Sequence, residues 1–292
     1  MKHQVFSPRR LAALATNTLT DLTRLRIFHV LLLFALVLIG SSMFVARLSF
    51  QQEFQVLKDI ALGAMSLFTS LLAILATARL LPQDRDDRTV YTILARPVPR
   101  CEYIIGKLAG VFLLLGISMF AMSAIFFAVL FLREQATSAE AARNLVALSP
   151  EQISSALSAN HAAIFSANLL PGLAVIYLKA CLLATLTLLI STFATTNIFT
   201  VLVTVVVYFI GHLQATAREF WLHEQGAGWC GRAFLAFVAL FFPDLQLFDF
   251  SDEIITGLAI PLALFWKTIA LGFFYILVYL LLAIALFNAK EL

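Results

Sequence analysis

Charge is what this sequence most lacks. Only 13% of its 292 residues are charged, about half the share in an ordinary soluble domain. With 61% hydrophobic residues and a mean hydropathy of +0.94, a water-soluble globular fold is excluded. Cysteine is scarce too: Cys101, Cys181 and Cys230 have no metal-ligand or redox spacing and fall at different depths or sides of the expected topology, so neither a disulfide nor a metal site is expected. The short alternating strands of an outer-membrane barrel are absent. No G-x-x-x-x-G-K-[ST] loop occurs, so the chain is not expected to bind or hydrolyse ATP. No H-E-x-x-H or G-x-S-x-G occurs either, and the five histidines are scattered. Nothing points to an enzyme, a cofactor or a nucleic-acid partner.

What is present is long apolar runs. Runs of about 18 or more residues suffice to cross the hydrocarbon core as helices, and a helix satisfies its own backbone there. The pattern predicts an all-α, polytopic membrane protein with six spans: 28–45, 60–81, 108–132, 171–193, 198–213 and 262–287. Some 27 polar or amphipathic residues precede the first run, and no small-x-small cleavage site follows it, so that run is expected to be a retained span rather than a signal. Residues 8–27 place Leu11, Leu14, Leu19, Leu22 and Leu25 at helical spacing beside arginines, as in a helix lying on the membrane surface. The expected organisation is an amphipathic segment 1–27 and a six-span domain 28–292. Polar excursions are expected at 133–161, with a short helix at 151–159 begun by Ser149-Pro150, and at 214–260. The apolar run opening 233–250 is too short to cross before Pro243-Asp244 and suits a re-entrant element.

Six spans put both termini on one side. Twelve of the 20 basic side chains then share that side, six face the other and two, Lys179 and Lys267, lie within spans. By the positive-inside rule the termini are cytoplasmic. Lys179 and Lys267 are candidates for a translocation path that meets an anionic group such as a lipid phosphate; the plainer alternative is snorkelling, or pairing with Asp244, Asp249 or Glu253.

The densest polar stretch is 82–107, PQDRDDRTVYTILARPVPRCEYIIGK, with four carboxylates and five basic side chains. Residues 83–94 are expected to be helical, with Asp84, Asp86 and Asp87 at the positive end of the helix dipole. Pro97 and Pro99 end that helix, and a second restarts near Glu102. These residues resemble the ABC-2 type permeases, membrane subunits of ATP-binding-cassette exporters, and most closely the branch found with copper-enzyme maturation systems. The matching positions are Asp84 and Asp86, Thr89, Leu94, Pro97-Val98-Pro99-Arg100, Glu102 and Gly106-Lys107. Arg88 stands where the family usually has glycine, and the acidic pair is aspartate rather than glutamate.

The resemblance implies an ATPase-coupling role for Asp84, Asp86, Thr89, Leu94, Pro97, Arg100 and Glu102. It further implies partner ATPase subunits, a second permease copy or a sister permease, surrounding lipid, and residence in the inner membrane. Two other readings are a non-transporting anchor with the same fold and a secondary transporter. The second is disfavoured because no span carries an acidic residue.

Overall fold

The computed structural model describes residues 7–46, 53–86, 99–144, 168–223, 242–257 and 260–289. These are helical apart from short connections, with no strand among them. Six helices are long and apolar enough to cross a membrane, and the protein is an all-α polytopic fold.

The amphipathic segment forms α1, Pro8–Thr23, with proline in its first turn, where the missing N–H costs nothing. The spans are carried by α2 (Arg26–Ala46), α3 (Glu53–Ala78) continuing into a short α4 (Leu80–Asp86), α5 (Arg100–Asn144), α6 (Leu169–Phe193), α7 (Asn197–His223) and α9 (Leu262–Ala289). The expected spans hold, but three helices outrun them, α3 by starting at Glu53 rather than near residue 60. α5 continues past Leu132 to Asn144, because residues 133–144 are almost all good helix formers, with no proline or glycine to stop them. At about 1.5 Å per residue it is roughly 67 Å long, twice the hydrocarbon thickness. Likewise α7 runs beyond Leu213 to His223. The short helix expected at 151–159 lies outside the described residues.

α3 and α6 form the axis of the bundle. α6 packs on α3, α5, α7 and α9, and α3 also packs on α2, α5 and α7. Most of both helices is therefore buried, down to Leu57, Leu62, Met65, Leu182 and Leu183. By contrast α2, α7 and α9 turn large apolar side chains outward, among them Leu33, Phe34, Leu202, Phe209, Phe273 and Leu277. Faces of that size would be sticky in water and are at rest only against lipid tails.

Between α7 and α9, residues 242–257 fold back into the bundle. They form a 3-10 turn at Leu245–Phe248 and a short helix α8, Ser251–Thr256, closed by Gly257 with φ of 74°, a left-handed position that suits glycine. Leu245, Phe248, Phe250 and Ile254 are buried. Glycines on three spans make room for them: Gly172 faces Ile254, Gly211 faces Leu245 and the carbonyl of Pro243, and Gly272 faces Phe248. The described part of the expected re-entrant element thus packs inside the bundle without crossing it.

Candidate functional site

Two polar constellations stand out against the apolar background. The first flanks the charged 82–107 segment. Asp84 in α4 accepts an ion pair from Lys107 in α5, 2.7 Å away, and a hydrogen bond from the Tyr103 hydroxyl. The Lys107 ammonium also sits 5.8 Å from the centre of the Tyr103 ring, within cation–π range. Tyr103 in turn stacks on Phe287 near the end of α9, with ring centroids 5.9 Å apart. The Arg100 guanidinium donates to the backbone carbonyl of Asn288, at 3.2 Å. The last turn of α9 is thereby drawn against the start of α5.

Glu102 is fully buried at this junction. Its Oε1 accepts from the backbone N–H of Ser7 at 3.0 Å, and its Oε2 lies 3.2 Å from Nε of Arg10. A carboxylate at the N-cap of α1 satisfies a helix-end donor and favours the helix dipole. Further along, α1 crosses α5 where glycine leaves no side chain. A Cβ on Gly106 would stand 2.7 Å from Leu14 Cβ, and one on Gly110 would stand 2.6 Å from Thr18 Cβ and 2.8 Å from the Ala15 carbonyl oxygen. Gly106 and Gly110 are a G-x-x-x-G pair, which brings two helix backbones into close approach.

Of the expected coupling residues, the structure thus gathers Asp84, Arg100 and Glu102 at one junction. Asp86 ends α4. Thr89, Leu94 and Pro97 lie outside the described residues. The Glu102 carboxylate is turned inward against α1, whereas Arg100 remains partly exposed.

The second constellation surrounds Lys179, which is 1% exposed. Its Nζ donates to Ser66 Oγ of α3 at 3.2 Å and lies 3.0 Å from Nε2 of His212 of α7. The other ring nitrogen of His212 lies 3.1 Å from the Tyr208 carbonyl oxygen, and the Tyr208 ring packs on the imidazole with centroids 4.3 Å apart. A carbonyl only accepts, so Nδ1 carries the ring proton and Nε2 is free to accept from Lys179. Asp249 of the re-entrant segment acts electrostatically on Lys179, and both Asp244 and Asp249 act on His212. Lys179 and Lys267 are not brought together: Lys267 lies on the exposed face of α9.

His212 and Ser66 were not legible as partners of Lys179, since they lie on different spans. One signal was available: His212 falls within an expected span, where an ionisable side chain is costly enough to be a functional candidate by default. The G-x-x-x-G pair was likewise written in the sequence. Among the described residues, no group of three or more His, Cys, Asp or Glu side chains is placed to hold a metal ion.

No family model and no curated protein matches the sequence.

Proposed function

We propose that this chain is the permease subunit of an ABC-2 type transporter. In this reading it sits in the inner membrane with both termini cytoplasmic, beside a second copy or a sister permease. Separate ATPase subunits dock on the 82–107 segment and supply the energy. The chain itself performs no covalent step; it rearranges so that a substrate leaves the cytoplasm or inner leaflet.

The observation that supports the reading best is the junction formed by Asp84, Lys107, Tyr103, Glu102 and Arg100. A plain loop between two spans needs no such ties. Here the two ends of the segment are fastened to each other, to α1 through Arg10 and to α9 through Asn288. Force applied to the segment by a closing ATPase pair reaches α3, α5, α1 and α9 together. Pro99, just before α5, stiffens the entry to that helix, because proline fixes its backbone angle.

The test is co-expression with an ATPase that carries a Walker A loop, followed by reconstitution in liposomes. The reading expects the ATPase to co-purify, its turnover to rise in the presence of the permease, and substrate movement to need ATP. An ATPase that binds without driving any movement favours the anchor reading. Movement driven by an ion gradient without ATP overturns the proposal.

A further inference from the structure

From Ile60 to Ala78 α3 carries no charged residue, a stretch of about 28 Å that matches the hydrocarbon thickness. Asp59 therefore stands at the level where lipid headgroups begin. It is exposed, and it makes no ion pair with a described residue. Beside it a cleft of about 370 Å³ runs between α2 and α3. Gly63, Leu67 and Phe68 line the cleft from α3, and Phe34 and Leu38 from α2. Asp59, Gly63 and Leu67 recur every four residues and so share one helix face; all three are exposed. Phe34 and Phe68 meet edge to face, with ring centroids 5.5 Å apart, at the end of the cleft farthest from Asp59. A Cβ on Gly63 would meet nothing within 4 Å, so this glycine leaves the middle of the cleft empty.

We propose that this cleft binds a phospholipid whose headgroup carries a primary amine. One acyl chain lies between Gly63 and the pair Phe34 and Leu38, and the ammonium pairs with Asp59. The apolar walls accept any acyl chain, so the carboxylate supplies the selection. A carboxylate turned towards lipid is stabilised by a cation beside it, and no described side chain supplies one. A primary ammonium donates hydrogen bonds to a carboxylate. A quaternary ammonium has no N–H to donate, and an anionic headgroup is repelled. The inference needs only the membrane bundle and does not rest on the transport reading.

The full chain in detergent is titrated with an equimolar mixture of phosphatidylethanolamine, phosphatidylcholine and phosphatidylglycerol with identical acyl chains. Native mass spectrometry reads which lipid is bound. Phosphatidylethanolamine is expected to bind about tenfold more tightly than either of the others, the scale of one charge-assisted hydrogen bond. Asp59→Ala is expected to erase that preference. Gly63→Leu fills the cleft and is expected to remove the most tightly bound lipid, whatever its headgroup. Equal affinity for the three lipids in the unmutated protein, or tightest binding of phosphatidylglycerol, overturns the proposal with no need for a variant to fold. A preference that survives Asp59→Ala overturns it as well, as does undiminished binding by Gly63→Leu.

Discussion

Lys107 Nζ lies 2.7 Å from Asp84 Oδ2, tying the end of α4 to the first turns of α5. Both side chains are largely withdrawn from solvent. For such a pair the Coulomb gain is largely offset by desolvation, so its main effect is to fix geometry. The Tyr103 hydroxyl on the same carboxylate completes that geometry. Of the ways the segment could join two spans, this one holds its ends in a fixed relation.

Asp84→Asn removes the charge but keeps the shape. Under the proposed function, this change and Arg100→Ala should each lower permease-dependent stimulation of the ATPase by about tenfold, the scale of a typical coupling energy. Insertion and helix content should be unchanged. ATP turnover in proteoliposomes, beside circular dichroism of the same preparation, checks this; normal stimulation in both variants would remove the coupling role.

Glu102→Leu fits the buried space but removes the carboxylate that Ser7 N–H and Arg10 share. The expected cost is about 1–3 kcal/mol, concentrated on the docking of α1. Limited proteolysis should cut between α1 and α2 faster than in the parent, while the bundle core stays resistant.

Gly110→Ala should destabilise, because the new methyl meets the Ala15 backbone carbonyl, which has no rotamer to give. Overpacking of this kind costs about 1–3 kcal/mol. Gly116→Ala is the control. Its Cβ would meet only Tyr177, no closer than 3.8 Å, so the gain in helix propensity should leave it neutral or slightly stabilised. Thermal unfolding in detergent distinguishes the two, and equal midpoints would contradict the packing.

Lys179→Ala should cost about 1–3 kcal/mol, since it leaves buried Ser66 Oγ and His212 Nε2 without the Lys179 ammonium. Lys267→Ala, on the exposed face, should change stability by less than about 0.5 kcal/mol. Thermal midpoints of both variants in the same lipid check the contrast; comparable losses would place Lys267 in a buried contact it does not make here.

Some of this was written along the chain. The spans were legible because a helix in lipid needs only local hydrogen bonds and an apolar surface, both set by consecutive residues. The start of α5 followed from Pro99, and the break from a spanning helix at 242–250 followed from Pro243. The far ends of α5 and α7 were less legible. Leaving the membrane ends an apolar run, but it does not end a helix.

Sequence alone determined the membrane class, the number of spans and the place where charge gathers, because each depends on neighbours in the chain. Tertiary structure decided that Glu102 faces α1, that Lys267 faces outward, and that Lys179 meets Ser66 and His212. Those contacts join side chains 92 to 113 residues apart, or 33 in the case of His212. Partners at such separations are chosen by how helices pack, and no local periodicity carries that information.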